Sequence, residues 1–231
     1  MKSKGFRTFG LPCLAVFLLL RGIVPAGADP SADLELSVSP GAGWKIRSWI
    51  GIFPMTHRPQ FAAWIEDEEG NYIATFLVSS RGAQKNWRSA PREGRPEALP
   101  VWEHALGRGG QNSRAEIDGV SAATPVGSVS AVYRGSALKA GKEYRVFFEV
   151  NHSFDYNETW PKKDRNGKST GVNGQPSLVY QARFTAGQPG QVRLEPAGCG
   201  AADGSHGNIS PGTGGITSAL SIVEQVSLRF N

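Results

Sequence analysis

The chain has 231 residues, with 25 Lys and Arg against 20 Asp and Glu and only two cysteines. That length suits one β-rich domain with flanking segments, and two cysteines exclude a disulfide-stapled scaffold. The 29 glycines and 15 prolines call for frequent turns rather than long helices.

Residues 1–28 read as an export signal. Lys2, Lys4 and Arg7 form a basic start, and Leu11 to Leu20 is an apolar run of about ten residues, too short to span a bilayer. Ala26, Gly27 and Ala28 then supply the small residues of a cleavage site, with cleavage expected before Asp29. Cys13 lies inside the apolar run with Gly-Leu-Pro in front of it, the wrong context for a lipid anchor. No later run is long and apolar enough to cross a membrane. The signal holds four basic residues, Lys2, Lys4, Arg7 and Arg21, and no acid, so the chain's net charge of +5 falls to +1 for the remainder. The pI of 9.4 therefore says little about a nucleic-acid or anionic-membrane partner. Cys199 is the lone cysteine after the signal; beside glycines and with no Cys or His nearby, it reads as a buried, inert thiol.

Almost every periodic segment after residue 28 has period two, the signature of strands. Leu34, Leu36 and Val38 alternate with polar neighbours, and Trp44, Ile46, Ile50 and Ile52 suggest a second strand. Phe61–Glu66 and Tyr72–Ser79 flank Asp-Glu-Glu-Gly-Asn, and Gly70–Asn71 tolerates the positive φ of a hairpin turn. The acids Asp67, Glu68 and Glu69 read as a solvated turn. From 81 to 100 the pattern gives way to an irregular basic loop, with Arg81, Lys85, Arg88, Arg92 and Arg95 read as solvating it and Leu99, Pro100 and Trp102 as its buried anchor. Val129–Arg134 and Tyr144–Asn151 read as a second hairpin. Ser177–Ala186 and Gly190–Gly198 add two strands, and 198–215 is a glycine-rich loop. Ile216, Ala219, Leu220 and Val223 recur at helical spacing, and Val226, Leu228 and Phe230 alternate in a last strand. The expectation is an all-β fold, an antiparallel β-sandwich with one short C-terminal helix, forming a single domain over residues 29–231.

No G-x-S-x-G, H-E-x-x-H, C-x-x-C or phosphate-binding loop occurs, and His57, His104, His152 and His206 are scattered. No catalytic constellation is nominated, so a non-enzymatic protein is expected. Two stretches carry candidate sites. The first is Asn151 to Trp160, dense in polar and aromatic residues. Were its strand to continue, Asn151, Ser153, Asp155 and Asn157 would line one face, with His152, Phe154 and Tyr156 on the other. Asn151, Ser153, Asp155, Tyr156, Asn157 and Trp160 are the candidate ligand-binding residues, for a sugar, a flavin ring or a peptide. The plainer reading is a strand end with its aromatics in the core. The second stretch is Ile117 to Val129. Its Asp118, Ser121, Ala123 and Thr124 follow the order D-x-x-S-x-A-T, which resembles flavin mononucleotide (FMN) attachment sites of bacterial extracytoplasmic proteins. Asp118, Ser121 and Thr124 are the candidate cofactor residues. Ala122 stands where that pattern has Gly, and turn chemistry alone accounts for Gly119, Pro125 and Gly127.

Pro59 to Ser79 with its W-I-E-D-x-x-G-x-Y hairpin, Trp87, Arg95 to Trp102 with L-P-x-W, Asp118 to Gly127 and Gly171 to Tyr180 together resemble a family of predicted bacterial periplasmic proteins catalogued as domain of unknown function 2271. The resemblance implies an immunoglobulin-like sandwich in the periplasm or secreted, associated with extracytoplasmic flavin electron transfer. It implies an accessory or binding role with a membrane or periplasmic redox protein as partner; no cofactor is expected, FMN being the alternative. The alternatives are a carrier with FMN bonded through phosphate to Thr124, and a carbohydrate-binding module acting through 151–160. Val126 to Val150 also looks like the immunoglobulin-like module of flagellar hook-cap proteins, where it is purely structural.

Overall fold

The computed structural model describes residues 32–50, 52–85, 94–110, 117, 120–121 and 127–231. Residues 1–28, read as an export signal, lie outside these residues. Two sheets face each other. The strands are β1 (Ala32–Pro40), β2 (Ile46–Ile50), β3 (Phe53–His57), β4 (Gln60–Asp67), β5 (Tyr72–Ser79), β6 (Val120–Ser121), β7 (Val129–Gly135), β8 (Glu143–Asn151), β9 (Leu178–Thr185), β10 (Gly190–Arg193), β11 (Glu195–Cys199) and β12 (Val223–Phe230). One sheet has the order β10-β12-β1-β7 and the other β11-β9-β8-β4-β5-β6; β2 and β3 form a separate hairpin. All pairs are antiparallel except β5 with β6. The fold is the expected all-β sandwich.

The strand patterns explain the layers. On β1, Leu34, Leu36 and Val38 point inward and meet Leu228 and Val226 of β12 in register. Opposite them, Phe61, Ala63 and Ile65 of β4 and Val146, Phe148 and Val150 of β8 complete the inter-sheet core. Each such side chain contributes about 1.5–3 kcal/mol when fully buried. Yet β4 and β8 are buried on both faces. The reason is α2 (Pro100–Arg108), which lies on the outer face of the six-stranded sheet. Its Val101, Trp102, Ala105 and Leu106 pack with Leu99 against Ala62, Trp64, Phe147 and Val179 in a second core.

Several expectations are corrected. The segment read as an irregular basic loop over 81–100 begins with a short helix, α1 (Ser80–Gln84), and ends at the first residue of α2. Pro100 at the helix start, where its missing N–H is not needed, and the spacing of Val101, Trp102, Ala105 and Leu106 drive helix formation. Arg95 is buried rather than solvating the loop. The stretch 44–53 is not one strand: a 3-10 turn (Ala42–Trp44) precedes the β2–β3 hairpin. Strands 129–135 and 143–151 do not form a hairpin, because β7 pairs with β1 in one sheet while β8 sits between β4 and β9 in the other. Buried Leu138 fills the connection between the sheets, and Lys139 N donates to Tyr144 Oη at 2.9 Å. The run 190–198 likewise splits at Leu194, with β10 and β11 in different sheets. The C-terminal helix is a single 3-10 turn (Ser218–Ser221), and β12 begins already at Val223.

Candidate functional site

Strand β8 ends at Asn151, and the chain beyond it does not stay extended. Phe154 adopts the left-handed conformation at φ 65°, a strained choice for an aromatic residue. The face predicted to carry Asn151, Ser153, Asp155 and Asn157 in a row therefore does not form. These side chains instead fasten four neighbouring segments. Asn151, buried, donates from Nδ2 to the Gln175 carbonyl at 3.0 Å. Ser153 Oγ accepts from Arg95 Nη1 at 2.7 Å, while Arg95 Nε donates to Glu97 Oε1 at 2.9 Å and Nη2 donates to Asn173 Oδ1. Asp155 Oδ1 accepts from Ser218 Oγ at 2.5 Å, and Ser218 Oγ accepts in turn from Gln175 Nε2 at 2.6 Å. Gln175 Oε1 accepts from the Thr217 N–H at 2.7 Å. Asn157 Nδ2 donates to the Gly215 carbonyl at 2.8 Å, and its Oδ1 accepts from the Trp160 N–H at 2.7 Å. Tyr156 Oη donates to the Gly171 carbonyl at 2.6 Å, and burial pushes its pKa up.

The backbone closes the same knot. Phe154 N donates to the Val172 carbonyl at 2.7 Å and Gln175 N to the Asp155 carbonyl at 2.8 Å. Gly174, at φ 77°, runs so close that a Cβ would stand 2.3 Å from the Asp155 carbonyl oxygen. His152 is buried and its Nε2 lies 2.8 Å from the Gly43 carbonyl; burial lowers its pKa. Asn151 Oδ1, His152 Nδ1, Asp155 Oδ2 and Trp160 Nε1 are buried with no hydrogen-bond partner among the described residues. All six predicted ligand residues thus sit at one end of the sandwich, where they build a rigid polar scaffold. The side chain it presents is Phe154, 40% exposed, with its ring 5.0 Å from that of His57.

A second polar centre lies beneath α2. Glu149 of β8 is fully buried on the outer sheet face. Its Oε1 accepts from Ser177 Oγ at 2.6 Å and Val101 N at 3.2 Å, and its Oε2 from Trp102 N at 2.8 Å. It thereby caps the helix from a different element, a role that the Leu99 side chain at the N-cap cannot fill. Burial raises its pKa from 4.5 to about 7 against these hydrogen bonds. Gly200 makes room for this arrangement, since a Cβ there would come within 2.4 Å of Ser177 Oγ and 2.6 Å of Pro100 Cγ. At the other helix end Arg108 pairs with Glu66 at 2.7 Å. A cavity of about 290 Å³ opens nearer the start of β8, between Arg145, Gln181, Arg183 and Glu195.

Of the cofactor residues, Asp118 and Thr124 lie outside the described residues, and Ser121 is known only as backbone of β6, paired with Ser79. Cys199 is a buried free thiol whose pKa burial raises, as its inert reading requires. Arg95, Asn173, Gln175, Ser218 and Glu149 form no motif in sequence. The glycine-rich 171–177 stretch was the nearest signal, because Gly174 marks the close approach. A family model described as predicted periplasmic protein, domain of unknown function 2271, matches residues 54–159, from β3 through β8 into the Asn151–Trp160 loop. No curated protein and no solved structure matches.

Proposed function

We propose that this chain, whose residues 54–159 match the model of that predicted periplasmic family, is a non-enzymatic docking protein. It presents the end of the sandwich around Phe154 to an envelope partner. The observation that carries the reading is Phe154 itself. An aromatic residue in the left-handed region costs about 1–2 kcal/mol, and here the cost is borne to hold an apolar ring at the surface. Every candidate polar residue around it is engaged in fixing that position. Glu149, the carboxyl group held nearest neutrality among the described residues, is enclosed and engaged with a helix terminus, which argues for a structural rather than an acid–base role. The partner class is an envelope redox protein, as the resemblance to flavin electron-transfer accessories implies.

A photo-cross-linking side chain at position 154, introduced into the exported chain in cells, should give a discrete adduct with an envelope protein. The same probe at Val132, exposed on edge strand β7, should not. Adducts of equal yield at both positions, or none at 154, would overturn the reading. A second reading, FMN on Thr124, is favoured by one observation: β6, which ends three residues before Thr124, is the outermost strand of its sheet. Co-expression with a flavin transferase should then add one FMN mass that Thr124→Ala abolishes; an unmodified wild type sinks it.

A further inference from the structure

Exposed apolar and basic side chains gather at this same end. Among the described residues six large hydrophobic side chains are exposed, and five of them, Ile52, Met55, Phe154, Val172 and Leu220, lie on segments that meet here. Ile52 is 81% exposed at the tip of the β2–β3 hairpin, and Met55 follows on the same hairpin. The hairpin's root is tied to the scaffold by the contact of His57 with Phe154. Phe154 and Val172 are joined through the backbone, and the 3-10 turn bearing Leu220 packs on the turn that leads into β2.

A second hairpin projects between Tyr156 and Val172. It is closed by the Lys163–Ser169 bridge and by Thr170 N donating to the Lys162 carbonyl at 3.2 Å, and all its residues from 161 to 171 are exposed. It carries Lys162, Lys163, Arg165 and Lys168 against Asp164 alone. Lys45 and Arg47, also exposed, stand on the first hairpin, which has no acid. Against these six basics the same end carries Asp155, Glu158 and Asp164, which leaves a local excess of three positive charges. None of the six forms an ion pair within the described residues. This excess is larger than the +1 of the whole chain after its signal.

We infer that the two hairpins dock the protein on an anionic phospholipid surface, the basic side chains meeting headgroups and Ile52, Met55 and Phe154 entering the interface. The inference rests on the docking reading above, whose partner belongs to the envelope, and adds the lipid surface beside that partner as what the two hairpins meet. A lipid surface fits better than an acidic protein groove for two reasons. Ile52, the most exposed of the apolar side chains, stands at a projecting hairpin tip rather than in a concavity, and long flexible Lys side chains suit a diffuse layer of charge. The attraction acts within a Debye length, about 8–10 Å at physiological salt.

The test is co-sedimentation of the full exported chain with phosphatidylglycerol-rich vesicles and with phosphatidylcholine vesicles. The chain should sediment with the first and not the second, and release at about 1 M salt, where the Debye length is about 3 Å. Each basic side chain near such a surface contributes about fivefold, so the double variant Lys162→Gln, Lys163→Gln should bind roughly thirtyfold more weakly. Ile52→Ser should also weaken binding with an unchanged circular dichroism spectrum. Equal partition to both vesicles, no sedimentation with either, or an unaffected double variant would overturn the inference. A discrete cross-link from position 154 to a protein without any vesicle binding would do the same while leaving the docking reading intact; failure of both assays removes both.

Discussion

Glu149→Gln probes the second core through a single atom pair. In the wild type three buried donors depend on the carboxylate: Ser177 Oγ and Val101 N on one oxygen, Trp102 N on the other. Glutamine keeps one acceptor and turns the other into a donor facing an N–H or O–H. One buried donor is then left without a partner, at about 1–3 kcal/mol. The substitution also removes an ionisation, and pH separates the two effects. Because burial raises the Glu149 pKa from 4.5 to about 7, the folded chain holds this proton more tightly than the unfolded chain. Its contribution to stability is fully present below about pH 4.5 and is lost as pH rises toward about 7. The gap between those values corresponds to about 3 kcal/mol, of which about 2 falls between about pH 5 and about pH 8. Glu103, whose charge also raises the Glu149 pKa, stays in place in the variant.

His152 works the other way. Burial lowers its pKa, so the unfolded chain binds the proton more tightly and stability is lost as pH falls below 6.5. It is common to both proteins and cancels in their difference. Urea unfolding followed by tryptophan fluorescence, at about pH 5 and about pH 8, should show the wild type's advantage over Glu149→Gln shrinking by about 2 kcal/mol at the higher pH. An advantage of the same size at both pH values would refute the burial of an ionisable carboxyl beneath α2.

Gly174→Ala should cost about 3 kcal/mol or more, read as a lowered Tm, because its Cβ would strike the Asp155 carbonyl and its φ is positive. Trp102→Ala should cost about 3–5 kcal/mol in urea unfolding, since it empties the centre of the second core and removes the indole N–H that donates to Thr75 Oγ1 at 2.8 Å. Phe154→Gly should leave stability within about 1 kcal/mol, the relief of left-handed strain offsetting the lost ring contact with His57, while weakening vesicle binding. Cys199 should react with a maleimide only after unfolding; rapid labelling of the folded chain would contradict its burial.

Much of the sandwich was legible because burial on one face writes period two into a strand. The hairpin of β4 and β5 was readable almost to the residue, since Gly70 at φ 88° closes the turn between alternating runs. Periodicity reports which face is buried and not which strand lies alongside, so β7 and β8 looked like a hairpin although they belong to opposite sheets. Leu194 raises the same difficulty, being the point where an uninterrupted run changes sheets. The helix α2 escaped notice because nine residues hold barely more than two turns. Its apolar stripe repeats once, behind a segment rich in Pro and Arg. Its capping acceptor, Glu149, lies 47 residues from Trp102 in the chain, beyond any local signal.

The site was half legible for a related reason. Composition singled out Asn151 to Trp160 as unusual, and all six named residues do meet at one end of the molecule. Their assignment to one strand face assumed extended backbone, which Phe154 breaks in a way no propensity suggests, because aromatic residues avoid positive φ. Charge misled by averaging. Without residues 1–28, read as a signal, the net charge is +1, and that value says little about an anionic surface. Electrostatic attraction is screened beyond about 8–10 Å, so what matters is charge within one patch. The fold sets Lys45 and Arg47 on one hairpin and Lys162, Lys163, Arg165 and Lys168 on another. It ties both to Phe154, while Glu35, Glu66 and Glu143 pair with other arginines on the sheets and on α2. A net charge near zero then coexists with a strongly basic end, because the two signs are sorted by topology rather than by position in the sequence.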